Sequence, residues 1–210
     1  MVDNFLSEWG ENLSNVEYGP LGIIAMQGID ALGANVNNYL LRWRELQDLQ
    51  DEEFYTTPGH GREDFLIAAS CPRFGTGEGK GVLKESVRGY DIYILVDVCA
   101  YNITYRMYDL EVPMSPDDHY QDLKRIIAAI AGKAKRVNVI MPMLYESRQH
   151  RRNTRESLDC AMALQELEAM GVANIITFDA HDPRVMNAVP LCGFENVMPT
   201  YKMLKALLRS

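Results

Sequence analysis

Five short apolar runs, separated by longer segments of helical spacing, organise the chain. Leu21 to Gly28 (LGIIAMQG) is an apolar run closed by glycine, and Asp30 behind it can cap a helix over Ala31 to Leu49. On that helix Arg44 is placed on the exposed face. Asp64 to Pro72 (DFLIAASCP) and Asp91 to Cys99 (DIYILVDVC) are continuous apolar runs rich in β-branched and aromatic residues, the make-up of strands covered on both faces. Asp117 to Ala131, Val137 to Met143, Ser157 to Met170 and Asn174 to Asp179 then read helix, strand, helix, strand. The alternation predicts an α/β fold, a mostly parallel sheet with helices on both faces.

Two polar stretches and a short amphipathic one complete the pattern. Residues 1–20 read as a polar extension, and residues 21–210 as one domain. Gln47 to Glu63, with Pro58, Gly59 and Gly61, reads as an inserted loop or connector. The last residues, TYKMLKALLRS, are amphipathic. At 210 residues and 47% hydrophobic, the chain has enough apolar material for one well-filled core.

Charge and cysteine usage narrow the function classes. A net charge of −8 and a pI near 5.0 argue against a surface that tracks nucleic acid or an anionic membrane, so any bound anion needs a local cationic cluster. The start, MVDNFLSEWGENLSN, has neither the basic opening nor the apolar stretch of a secretory signal, and no apolar run approaches membrane-spanning length. Cys71, Cys99, Cys160 and Cys192 form no CxxC pair, which predicts reduced, mostly buried thiols in a cytoplasmic protein.

In open α/β sheets ligands bind beyond the carboxyl ends of the strands, and three such segments carry chemistry. After the strand ending near Met143, Arg148, His150, Arg151, Arg152 and Arg155 fall within eight positions without an acidic residue. Guanidinium groups bind phosphate oxygens in pairs, so the loop suits a polyphosphate; the same charges also suit a solvated loop. Phe178 to Asp182 (FDAHD) ends a strand in Asp179, His181 and Asp182, groups able to hold a divalent cation or its waters, although aspartate there also serves to cap a helix. Asp179 and His181 alternate and so point the same way. In RFGTGEGKG (Arg73 to Gly81) the glycines permit close backbone approach beside Phe74 and Glu78; an ordinary turn explains the string equally well.

Taken together and in this order, from about Leu21 to the end, these segments resemble the amino-terminal half of ribose-phosphate pyrophosphokinase. The family's Arg-Phe-Ser-Asp-Gly-Glu loop and following Val-Arg-Gly are similar to Arg73 to Glu78 and Val87 to Gly89, with Thr76 in place of aspartate. Its Tyr-Ala-Arg-Gln-Asp-Arg-Lys is similar to Glu146 to Arg152, keeping Arg148 and Gln149 and placing His150 where the family has aspartate. Its Asp-Leu-His strand end resembles Asp179 to His181, and Arg184 stands where many members have glutamine.

The resemblance implies a phosphoribosyltransferase-like, Rossmann-like half that binds ATP with Mg2+. It implies transfer of the diphosphoryl group of ATP to ribose 5-phosphate, yielding phosphoribosyl pyrophosphate and AMP. It gives Phe74 and Glu78 adenine contacts, Arg148 and Gln149 ATP contacts, Asp179 and His181 the magnesium side, and catalytic roles to Arg148 and His181. The adenine loop would serve ATP held by a neighbouring subunit, so a homo-oligomer is implied. The family's second half, with a basic catalytic loop and a ribose-phosphate segment, has no counterpart in these residues, so the expectation is a chain inactive by itself. The departures at Thr76 and His150 also allow a non-catalytic regulatory or associated subunit of the same fold.

Overall fold

The structure, a computed structural model, describes residues 19–48 and 62–209. The polar extension up to Tyr18 and most of the Gln47 to Glu63 insertion lie outside the described residues. In chain order the elements are β1 (Leu21–Ala25), α1 (Asp30–Asp48), β2 (Ala69–Ser70), β3 (Val82–Leu83), β4 (Asp91–Leu95), β5 (Thr104–Met107) and β6 (Leu110–Pro113). They continue with α2 (Pro116–Ile130), β7 (Arg136–Ile140), α3 (Asp159–Ala169), β8 (Asn174–Phe178), a 3-10 helix (Pro183–Ala188), β9 (Gly193–Val197) and α4 (Thr200–Leu207).

Strands β1, β4, β7, β8 and β9 form one parallel sheet in that order. The α/β alternation legible in the sequence is therefore the architecture found. Side-chain alternation sorts each strand onto two faces. On one face Ile23 and Leu95 pack with Ile29 and Phe65, and Val36, Leu40 and Leu41 of α1 close over them. On the other, Ile24, Ile92, Ile94, Val139 and Ile175 meet Leu123, Ile126, Ile127 and Ile130 of α2 and Leu164 and Leu167 of α3. Ile24, Ile92, Ile94 and Ile175 are wholly inaccessible to solvent, which is why these positions are apolar.

Polar groups fix the register at the start of the strands. Asp91 opens β4 beside Arg136 of β7, which donates to both its carboxylate oxygens, and Asn138 Nδ2 donates to Asp91 Oδ1 at 2.8 Å. Asn138 Oδ1 in turn accepts from Asn174 Nδ2 of β8 at 2.6 Å. Helix α2 begins with a capping box: Ser115 Oγ accepts from Asp118 N at 3.1 Å, and Asp118 Oδ2 accepts from Ser115 N at 2.9 Å.

The run Asp64 to Pro72 is not the strand covered on both faces that its composition predicts. Only Leu66 bridges β1, with Ile23 N donating to Phe65 O and Ile67 N to Ile23 O, both at 2.8 Å. Farther along, Lys84 N donates to Ala68 O and Lys80 N to Pro72 O, so a local hairpin claims the backbone groups a longer sheet strand would use. That hairpin, β2 with β3, lies against α2: a Cβ on Gly81 would stand 2.3 Å from Arg125 O, so glycine is required there. Arg44, expected on an exposed face, instead donates to Arg62 O and lies over the Phe65 ring at 5.5 Å. The β5–β6 hairpin, the 3-10 helix and β9 were not legible in the apolar pattern. All four cysteines are free, with Cys160 and Cys192 buried and Cys71 and Cys99 half-buried. Among the described residues no helix is long and apolar enough to cross a membrane.

Candidate functional site

Beyond the carboxyl ends of β4, β7 and β8 the chain makes a cleft of about 650 Å³. Its walls come from the residues after each strand: Val98, Cys99 and Tyr101 after β4, Met143 to Gln149 after β7, and Asp179 to His181 after β8. Parallel strands deliver all three segments to one side, and the loops rather than the strands carry the side chains that vary.

The β7 segment turns sharply to reach the cleft. Glu146 adopts a left-handed backbone (φ 54), Ser147 N donates to Leu144 O at 3.2 Å and Gln149 N to Glu146 O at 2.8 Å. The next two residues, Arg148 and Gln149, are exposed on the cleft wall. Among the described residues Arg148 has no carboxylate partner, which leaves its guanidinium available to an anion. The turn is held from behind: the Tyr145 ring stacks on Tyr120 of α2 at 4.3 Å, and Tyr145 Oη donates to Asp117 Oδ1 at 2.6 Å. Burial and the Asp117 carboxylate push the Tyr145 phenol well above its ordinary range. Burial first, then the Asp159 and Asp117 carboxylates, also raise the Glu146 carboxyl.

The β8 segment brings Asp179 and His181 to the same cleft. Asp179 is in the left-handed region (φ 49), which aspartate tolerates better than most residues, and Asp179 N donates to Val197 O at 3.1 Å. His181 N donates to Ser147 Oγ at 3.1 Å, tying this wall to the β7 segment. Asp182, the third acidic or imidazole group foreseen at this strand end, turns away from the cleft towards Arg184, whose Nη2 donates to its Oδ2 at 2.6 Å. Those hydrogen bonds hold its carboxyl far below the usual carboxylate range.

Magnesium is a hard cation that keeps several waters and takes only one or two carboxylates besides substrate phosphates. Among the described residues no group of three or more His, Cys, Asp or Glu side chains converges to hold a metal. Two donors, Asp179 and His181, in the same cleft lining as Arg148 are too few to cage an ion and suit one that brings other ligands with it.

Phe74 and Glu78 do not line this cleft. They sit in the turn between β2 and β3, where Phe74 N donates to Glu78 O at 2.7 Å, and Phe74 leaves 57% of its surface to solvent. Thr76 Oγ1 donates to Glu78 Oε2 at 2.9 Å. Arg73, beside them, is structural: its Nη1 pairs with Asp122 of α2 at 2.7 Å and its guanidinium lies over the Tyr105 ring at 4.9 Å. Of the lining groups, Tyr101 and Tyr145 were not singled out by sequence pattern, Cys99 was read only as a thiol, and Glu146 and Ser147 entered only through the resemblance. The sequence signal for Tyr101 and Tyr145 was their place two residues past an apolar run.

The fold matches that of a crystal structure of phosphoribosylpyrophosphate synthetase from Mycobacterium smegmatis, with a TM-score of 0.60 at 18% identity over 90% of this chain and 51% of that one. Residues 22–171 match the family described as the N-terminal domain of ribose phosphate pyrophosphokinase. A ribose-phosphate pyrophosphokinase of Oceanobacillus iheyensis is 30% identical over 122 residues, 57% of this chain and 34% of that protein. Ribose-phosphate pyrophosphokinase 1 of Schizosaccharomyces pombe is 32% identical over 114 residues, 53% of this chain and 24% of that protein. The chain belongs to the ribose-phosphate pyrophosphokinase family, matching its N-terminal domain. It spans about a third or less of the length of these curated relatives.

Proposed function

We propose that this chain supplies the ATP side of a ribose-phosphate diphosphokinase, a cytoplasmic enzyme of nucleotide biosynthesis that transfers the diphosphoryl group of ATP to ribose 5-phosphate. The observation that carries the reading is the convergence of Arg148, Gln149, Asp179 and His181 on one strand-end cleft. Arg148 would bind the polyphosphate and offset charge that develops on its oxygens during transfer. Gln149 would orient the nucleotide through its amide. Asp179 and His181 would hold Mg2+ or its waters, and the ion would neutralise phosphate charge when bound. Attack falls at the β-phosphorus, so AMP leaves, and the protein's share is alignment and electrostatics rather than covalent chemistry.

Phe74 and Glu78 have a place in this reading if a second copy brings them to the nucleotide, since the outward-facing turn does not reach its own cleft. A homo-oligomer is therefore part of the proposal. The engagement of Glu78 by Thr76 favours a second reading, a non-catalytic associated subunit of the same fold.

Calorimetric titration with Mg-ATP separates the two. Arg148→Ala is expected to weaken binding about tenfold or more, the loss of a charge-assisted contact. Arg106→Ala, on a side chain 75% exposed and paired with Asp109, is expected to leave affinity unchanged. Equal effects, or no binding by the unaltered chain, would favour the associated subunit. Incubation of this polypeptide alone with Mg-ATP and ribose 5-phosphate is expected to release no acceptor-dependent AMP; robust release would make it a complete enzyme.

A further inference from the structure

Two of the departures from the family pattern, His150 and Arg184, meet around one carboxylate. His150 Nδ1 stands 3.4 Å from Asp182 Oδ2. Arg184 holds both oxygens of the same carboxylate, Nε lying 3.0 Å from Oδ1 and 3.2 Å from Oδ2 and Nη2 2.6 Å from Oδ2, while Arg184 N donates to Asp182 Oδ1 at 3.0 Å. The same Asp182 caps the 3-10 helix that follows. Both contact groups are sheltered, with side-chain exposures of 12% for His150 and 13% for Asp182. The His150 ring also lies 5.3 Å from that of His181.

The position of this contact in the chain gives it a consequence. Ser147 is tied to His181 through Ser147 Oγ, and His150 to Asp182. Arg148 and Gln149 lie between the two ties, so residues 147–150 are laced to 181–182 at both ends. We propose that the His150–Asp182 contact is a clamp that positions Arg148 and Gln149 beside His181 in the cleft. The proposal deepens the ATP reading above and rests on it for the identity of the ligand. His150 is a positioning residue, since it is not part of the cleft lining. The aspartate that the resemblance expects at position 150 would here face Asp182, and two carboxylates at that separation repel. Histidine at 150 and aspartate at 182 thus form a matched pair, in which the carboxylate stands on the β8 turn.

The test uses the full chain and two readouts. Amide hydrogen exchange follows Ser147, Gln149 and His181, whose N–H groups donate to Leu144 O, Glu146 O and Ser147 Oγ. Titration with Mg-ATP follows the positioning. His150→Asp is expected to speed exchange at those amides roughly tenfold without altering the core strands. It is expected to weaken Mg-ATP about fivefold or more, because a displaced contact loses most of its value. His150→Ala is expected to do less, since it removes the tie without repulsion. Asp182→Asn keeps a good helix cap, so His150→Asp combined with Asp182→Asn should recover most of both losses.

Such recovery would not follow if His150 merely filled space. The clamp is overturned if His150→Asp exchanges and binds like the unaltered chain, or if the double variant is no better than the single one. Should Arg148→Ala bind Mg-ATP as the unaltered chain does, or neither bind, the nucleotide reading falls, and exchange alone then decides the clamp. Weakened binding in Arg148→Ala with no effect in His150→Asp would keep the ATP reading and reject the clamp.

Discussion

Asp179 shows how backbone and chemistry can select the same residue. Its left-handed φ of 49 suits aspartate or asparagine and opposes β-branched residues, whatever the side chain binds. Asp179→Asn is therefore expected to keep the chain's urea midpoint while weakening Mg-ATP several-fold, and Asp179→Val to destabilise by about 1–2 kcal/mol. Unchanged nucleotide affinity in the asparagine variant would assign Asp179 to the turn alone. Arg148, Asp179 and His181 drew notice in the sequence because they lie in segments that follow apolar runs, and Gln149 through the resemblance; the structure brings all four to one cleft. The pairing of Asp182 with His150 was not legible: they stand 32 positions apart, and only the parallel pairing of β7 with β8 makes them neighbours. Arg44 was misplaced for a related reason, since the carbonyl and ring that engage it, Arg62 O and Phe65, lie at the end of the insertion and just past it.

Among elements, the long helices and central strands were readable and the short elements were not. Helix α2 has every local signal: Ser115 as cap, Pro116 in its first turn, Asp117 and Asp118 near its positive end, and a buried stripe through Leu123, Ile127 and Ile130. Ser115→Ala is expected to cost about 1 kcal/mol, measured as a lower denaturant midpoint with unchanged slope. The segment from Asp64 to Pro72 carries the composition of a buried strand, but the hairpin that begins at Ala69 takes its hydrogen bonds. Composition reports burial, not the partner that satisfies the backbone. At the other end of the sheet the Asp91–Arg136–Asn138 group ties β4 to β7. Asp91→Ala would take the carboxylate from the half-buried Arg136 guanidinium and leave the wholly buried Asn138 amide one acceptor short. A loss of about 3 kcal/mol in urea unfolding is expected, near the low end for breaking a buried pair. A loss under about 1 kcal/mol would show that water replaces the carboxylate.

At the scale of the whole molecule the thiols set an alkaline limit. Burial, then the nearby Asp122 carboxylate, push the Cys71 thiol from the ordinary 9.0 to about 12, and burial pushes Cys160 to about 11. Above pH 9 the unfolded chain gives up protons that the folded chain still holds, so stability is full below pH 9 and falls as the pH climbs towards 11. The urea midpoint is expected to drop between pH 8 and pH 10.5, and Cys71→Ala to make that drop shallower; an equal drop in both chains would place the alkaline loss elsewhere. The order of apolar runs and helical stretches was enough to dictate a parallel α/β sheet, because each strand needs both faces covered and each connection must cross over the sheet. Tertiary structure alone decided that three loops far apart in sequence share one cleft, that Phe74 and Glu78 stand outside it, and that His150 faces Asp182. Periodicity records which face of an element is dry, whereas a site depends on which loop ends the packed sheet brings together, and that is set by strand order and register.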